Sequence, residues 1–358
     1  MKTYRAALIG CSRMGAFIDN EVDRNFAYSH AAGYEACDRT ELIACSDLRK
    51  DVMAVAGERY GVPKERQYTD YKELIDIEKP DIVSVATQPE HRADIVIYAA
   101  EQGIKAIYAE KALAASMTDA DAMLEACERN NVFLNLGTNR RWDRGYDAMK
   151  EVIDSGRIGK LKSLVIHQTG SLFNTASHCL DLLMRLNSDH PAVSVQAQLS
   201  SGADAIEGEV LKVDPIGHGI IQFANGVTAY ALNSGRGLEV EAVGDAGVVT
   251  ALQNGEDWQV REVVKKDDRG RNVLGIGEFP VAPKSSSTVH LIEDLVHALD
   301  SGEPTRCGIR LAHHNQELIF AFVESHQRGG VRVDLPLENC SYRLGRDSGP
   351  RQPKFERE

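Results

Sequence analysis

Three stretches of this sequence carry residue types at spacings that could do chemistry. In "ALIGCSRMGAF", Gly10-Cys11-Ser12-Arg13-Met14-Gly15 follow an apolar run and precede a helical one. This is the G-x-G-x-x-G frame with Ser12 at the middle position. A pyrophosphate needs a tight turn first, then a small residue so that backbone can approach, then a glycine for close helix–strand packing. Serine is small enough for the second place, and a helix N-terminus would supply N–H groups and partial positive charge. The run reads as a dinucleotide-binding turn, with Gly10, Ser12, Arg13, Met14 and Gly15 as its contacts. Asp47 closes "ELIACSD". A carboxylate there can accept both ribose hydroxyls of an adenosine, which favours NAD over NADP. Arg49 and Lys50 follow; they either grip a 2′-phosphate or simply begin the next helix. The third stretch, "AIYAEKALA", ends an apolar run with Glu110 and Lys111. A lysine at the C-terminal edge of a parallel strand stands in the crevice where ligands of open α/β sheets bind. Lysine serves as a proton carrier when desolvation or a neighbouring positive charge tunes it.

The elements that must position these residues alternate. Short β-rich runs end at Gly10, Asp47, Thr87, Lys111 and Gly137, with helical patterns such as "HRADIVIYAAEQG" between them. Strands apolar on both faces, separated by helices, predict a doubly wound parallel sheet, a Rossmann domain over 1–138. The spacing from the turn to Asp47 exceeds the usual one, so a loop insertion is expected around "DNEVDRNFAYSHAAGYEACDRT".

After about residue 140 strands follow strands, and Asn225-Gly226 between two alternating runs signals a hairpin. This predicts a C-terminal α+β domain over 139–340 with a large, mostly antiparallel open sheet. The helices "STVHLIEDLVHALDSG" and "HHNQELIFAFVESHQRGG" are expected to cover one face of that sheet. A second copy of the chain, in a homodimer or homotetramer, is expected on the other. The stretch 341–358 is polar and reads as a tail or arm.

Composition narrows the function classes. The chain has 358 residues, 43% of them apolar and 26% charged, with a formal net charge of −12. That balance argues against a nucleic-acid partner held by phosphate contacts. Seven dispersed cysteines without a C-x-x-C predict neither a disulfide framework nor a zinc site. A cytoplasmic setting is expected, without a signal-peptide pattern or a run of about 18 apolar residues.

The order and spacing of "GCSRMG", "TQPEHR" (87–92), "AEKALA" (109–114), "NRRWDRGYDAMKEVIDSGRIGKLKS" (139–163), "SHCLDLL" (177–183), "FANGVTAYALNS" (223–234), "GDAGVV" (244–249) and "ESHQRGGVRVDLPL" (324–337) resembles the Gfo/Idh/MocA oxidoreductases. That family includes glucose–fructose oxidoreductase and inositol dehydrogenase, and the resemblance covers nearly the whole chain. It implies that the family's E-K-P signature falls on Glu110-Lys111-Ala112, with the proline missing. It implies that Thr87, Pro89 and His91 lie near the cofactor. The family's G-x-H-x-x-D falls on Ala176, His178 and Asp181. Its catalytic lysine and histidine fall on Lys111 and His178, but the aspartate four residues before the histidine is Asn174. Asparagine can hold a hydroxyl and cannot ionise. The change points to a different substrate or to a reductive direction.

The resemblance thus implies an NAD(P)-dependent oxidoreductase moving hydride between a nicotinamide and a sugar, sugar derivative or cyclitol. Two alternatives stand beside it: a same-fold enzyme using tightly held NAD transiently for glycoside cleavage, and a non-catalytic NAD-binding regulator. Arg140, Arg141 and Trp142 could hold substrate or stitch the domains, and His167 and Gln168 could line the pocket or face the other way. Cys179 beside His178 invites a nucleophile reading that nothing around it supports. His290, His297, His313 and His314 are expected at the surface or an interface, and no spacing suggests a metal.

Overall fold

A computed structural model describes residues 2–22, 25–167, 170–346 and 352–356. Contacts group the chain into two compact units: Met1–Asn139 with Ser286–His313 and Asp347–Glu358, and Arg140–Ser285 with His314–Arg346.

The first unit runs β1 (Tyr4–Ile9), α1 (His30–Ala36), β2 (Thr40–Ser46), α2 (Lys50–Arg59), β3 (Gln67–Tyr68), α3 (Tyr71–Glu78), β4 (Ile82–Val85), α4 (Pro89–Glu101), β5 (Ala106–Ala109), α5 (Met117–Arg129) and β6 (Phe133–Leu136). The six strands are parallel in the order β3-β2-β1-β4-β5-β6. β4 and β5 are buried at every residue, as strands covered on both faces must be. Strand order reverses between β1 and β4, and at such a switch point the C-terminal strand ends open a crevice. Gly10, Thr87 and Lys111 each lie just past such an end.

The second unit contains α6 (Arg144–Asp154), β7 (Leu161–Ile166), α7 (Ser177–Leu186), β8 (Ala192–Ser201), β9 (Ile206–Glu207), β10 (Val210–Leu211), β11 (Ile216–Phe223), β12 (Thr228–Ala231), β13 (Val240–Gly244), β14 (Gly247–Leu252), β15 (Asp257–Lys266) and β16 (Asn272–Gly277). After α8 (Ser287–Ser301) and α9 (Ile309–Gln327) come β17 (Val333–Asp334) and β18 (Arg343–Leu344). Nine strands form one sheet in the order β16-β15-β14-β13-β7-β12-β11-β8-β17. Every pairing in it is antiparallel except β7 with β12. The hairpin signal holds: Gly226, at φ +84°, turns β11 into β12. Behind the sheet, Phe320 of α9 meets Phe173 edge-on at 5.3 Å, and Ser325 Oγ accepts the Ala197 N–H at 2.8 Å.

One expectation fails here. α8 groups with the first unit and does not cover the large sheet. The Asn135 amide donates to Leu291 O at 3.3 Å and Asp294 Oδ2 at 2.9 Å, and Thr288 Oγ1 donates to Tyr28 O at 2.9 Å. Its apolar stripe of Leu291, Ile292 and Leu295 could cover any apolar surface; these polar contacts choose one.

Candidate active site

β1 ends at Ile9, and the chain turns through Gly10 at φ +92°. A Cβ on Gly10 would stand 3.0 Å from the Ala86 carbonyl, and one on Gly15 would stand 2.0 Å from Gly10 O. Both positions need glycine. Asp47 Oδ2 accepts the Cys11 N–H at 2.7 Å, and Oδ1 accepts the Arg49 N–H at 2.8 Å. One carboxylate therefore ties the turn to the end of β2. The hydroxyls of Ser12 and Thr87 are buried without a hydrogen-bond partner. Arg13 turns aside to Glu21 at 2.6 Å.

The helix expected after the turn is cut short. A π turn over Arg13–Phe17 and a 3₁₀ turn over Ile18–Asn20 precede the insertion, and α1 starts only at His30. Asp19 closes the insertion by accepting the Tyr28 and Ser29 N–H groups at 2.7 and 3.0 Å. Ser29 then caps α1 through the Ala32 N–H at 3.2 Å. So short a helix leaves little macrodipole, and the N–H groups of the turn itself remain.

At the ends of β4 and β5 a buried arginine does what the sequence reading missed. Pro89 opens α4, where its missing N–H is no loss. Arg92, 1% exposed, sends its guanidinium back to the carbonyls of Thr87, Ala112 and Leu113. It joins the chain past the end of β4 to the chain just after Lys111, whose peptide to Ala112 is cis. His91, two positions after Pro89, is exposed.

Glu110, 4% exposed, faces inward. His30 Nε2 lies 3.1 Å from its Oε1, and the Lys111 N–H donates to Oε2 at 3.2 Å. His30 Nδ1 meets Ser84 Oγ at 3.0 Å, which meets Tyr34 Oη at 2.7 Å. The imidazole stacks on Tyr108 at 3.7 Å. Burial pushes the Glu110 carboxyl up, but the His30 bond and charge, with Lys111 and Arg92, hold it below its ordinary value. The carboxylate is an ionised anchor beneath Lys111.

In the second unit, Asn174 and His178 lie four residues apart along a π turn (Leu172–Ala176) continued by α7, so they share a helical face. Asn174 is exposed and His178 half-buried. Asp214 steadies that segment by accepting the Phe173 and Asn174 N–H groups at 2.9 and 3.0 Å. Burial raises its carboxyl pKa in spite of those donors.

One turn on, Asp181 is fully buried and holds Arg141 Nε at 2.9 and 3.0 Å. Arg141 also donates to Asp189 at 2.7 and 2.9 Å. Arg141 and Trp142, which could hold substrate or stitch the domains, are 1% and 0% exposed, and the guanidinium is committed to two carboxylates. Arg140 reaches Asn254 Oδ1 at 2.9 and 2.7 Å. His167 shares the half-exposed sheet face with Ser163 and Val165 and meets Glu241 and Arg236, both at 3.2 Å. Gln168 lies outside the described residues. Cys179 is fully buried and its thiol is pushed up to about 11, which disqualifies it as a neutral-pH nucleophile. Among the described residues no group of three or more His, Cys, Asp or Glu could hold a metal. Lys111 belongs to the first unit, Asn174 and His178 to the second.

Two family models match the chain. Residues 5–138 match "oxidoreductase family, NAD-binding Rossmann fold", and residues 162–335 match "oxidoreductase family, C-terminal alpha/beta domain". The chain belongs to the Gfo/Idh/MocA oxidoreductase family. Among its relatives, myo-inositol 2-dehydrogenase of Thermotoga maritima is 26% identical over 84% of this chain and 89% of that protein. D-apiose dehydrogenase of Paraburkholderia graminis is 32% identical, over 44% of this chain and 38% of that protein. The fold matches the aldose-aldose oxidoreductase of Caulobacter crescentus with a TM-score of 0.74 at 19% identity, covering 93% of this chain and 100% of that one.

This Gfo/Idh/MocA member is therefore an oxidoreductase with an NAD-binding domain, and the first unit fits the cofactor. The glycine turn leaves no room for a Cβ, and the two orphaned hydroxyls sit at the ends of adjacent strands. His30, Arg92 and Asp214 escaped the sequence reading. Arg92 lies inside "TQPEHR", but nothing there told that its partners were carbonyls.

Proposed function

We propose that this enzyme moves hydride between NAD and a CH–OH carbon of a sugar, sugar derivative or cyclitol. The observation that carries the reading is the setting of Lys111. It follows the C-terminal end of β5, its N–H is held by buried Glu110, and the next carbonyl is held by Arg92. The names of the myo-inositol and apiose relatives support the substrate class.

NAD, when bound, supplies the hydride acceptor or donor. Ser12 and Thr87 would hold it by their unpaired hydroxyls, and the Gly10–Gly15 turn by its N–H groups. Each Asp47 oxygen accepts one N–H and keeps a lone pair for a ribose hydroxyl. Lys111 takes the substrate proton during oxidation and returns it during reduction. His178 is its partner in handling that proton, and Asn174 orients substrate by hydrogen bonds without ionising. Ile220 and Tyr230, opposite each other on β11 and β12, stay 37% and 38% exposed on the large sheet. A second copy of the chain is the partner we propose for that face, and light scattering of the purified protein tests it.

The test of the reaction is a panel of sugars, cyclitols and sugar acids offered with NAD or NADP while reduced nicotinamide is followed by absorbance. Wild type should turn over at least one of them and Lys111→Met should not. Silence of both proteins, or equal rates, would refute the assignment.

A further inference from the structure

The C-terminal stretch reads from the sequence as a polar tail, yet its described residues, 352–356, dock on the first unit. Phe355 meets the Phe17 ring edge-on, centroids 5.1 Å apart, and packs against the cluster of Leu8, Cys11, Ala16 and Phe17 behind the dinucleotide turn. Pro353 is buried. Asn20 donates to Lys354 O at 2.7 Å, and Arg59 donates to the Phe355 carbonyl. Ahead of these anchors, Gln352 Oε1 accepts Arg49 Nη2 at 2.5 Å, and the same nitrogen donates to Asp51 Oδ2 at 2.9 Å.

Arg49 is placed where this contact matters. Its own N–H binds Asp47 Oδ1, so it starts beside the carboxylate that reads the adenosine ribose. An arginine there ordinarily accommodates the 2′-phosphate of NADP. Here the guanidinium is turned to Asp51 and Gln352. The Asp51 side chain is 65% exposed, and such ion pairs hold weakly. Gln352, itself exposed, sits next to buried Pro353 on the docked stretch and supplies a second acceptor.

We propose that Gln352 is a specificity-determining residue: it holds the Arg49 guanidinium away from the 2′ position and so keeps the enzyme on NAD. The proposal rests on the dinucleotide site described above. Asp47 works in the same direction by charge repulsion, so the effect of Gln352 is read most cleanly where Asp47 is replaced.

The experiment measures NAD and NADP affinities of the full chain by calorimetry, with and without Asp47→Ser, for wild type, Gln352→Ala and Phe355→Ala. Releasing Arg49 to pair bidentately with a phosphate should tighten NADP relative to NAD by about tenfold in Gln352→Ala. Phe355→Ala, which undocks the stretch, should do the same. An unchanged NADP-to-NAD ratio in a folded Gln352→Ala protein would overturn the proposal. So would an equal fall in both affinities, which would make the stretch a brace. Wild type binding neither dinucleotide would instead sink the site reading on which the proposal rests.

Discussion

Glu110→Gln keeps the shape of a buried side chain and removes its charge. The native carboxylate is 4% exposed, with His30 Nε2 at 3.1 Å and the Lys111 N–H at 3.2 Å. Burial acts to raise its pKa, but His30, Lys111 and Arg92 outweigh burial and hold it below 4.5. A carboxyl whose folded pKa lies below its unfolded one adds stability above the unfolded value, and loses that contribution as pH falls through the folded value. Each pKa unit corresponds to about 1.4 kcal/mol, and a hydrogen bond to a charged group contributes about 1.5–3 kcal/mol. The variant should therefore be less stable than wild type by about 2 kcal/mol at neutral pH. The gap should narrow once the pH drops below 4.5, the ordinary carboxyl value. Urea unfolding of both proteins from about pH 7 to about pH 3 measures it. A variant as stable as wild type at neutral pH would mean that burial wins over the His30 hydrogen bond and the charges of Lys111 and Arg92. A gap that does not change with pH would mean that the loss is one of shape, not charge. Either result would refute the anchoring role.

Three further outcomes follow from the same geometry. Arg141→Met removes the guanidinium that fully buried Asp181 holds and should cost about 3–5 kcal/mol in a denaturant titration. Gly15→Ala forces a Cβ to within 2.0 Å of Gly10 O, and calorimetry should find NAD binding lost while far-ultraviolet dichroism stays near that of wild type. Asn174→Asp introduces an ionisable group one helical turn from His178, so the pH profile of kcat/KM should show one ionisation more than that of wild type.

Much of the fold was legible because periodicity and punctuation are local. Strands apolar on both faces, split by helical patterns, specify a covered parallel sheet, and Gly10 and Gly15 mark the turn that follows its first strand. What escaped depends on partners far apart in the chain. His30 and Glu110 are eighty positions apart, and neither name predicts the other. The stripe on α8 says that something apolar is covered and is silent about which sheet. Asn135 with Asp294 and Thr288 with Tyr28 O settle that, across more than 150 positions each.

The same limit governs the site itself. A cation in a motif looks identical in sequence whether a ligand or the protein supplies its acceptors. Arg141 could face substrate or the protein and is held by Asp181 and Asp189; Arg92 draws no notice in the sequence and holds the carbonyls of Thr87 and Ala112. A buried polar group must be paired, so its pairing state separates the two cases. Arg141, satisfied from within, positions α7. The Ser12 and Thr87 hydroxyls, buried and without a partner in the chain, lie together at the ends of neighbouring strands, where a bound molecule can satisfy both. That criterion favours a small polar cofactor at the β1 and β4 ends over a merely structural turn, and it owes nothing to the motif that first drew attention there.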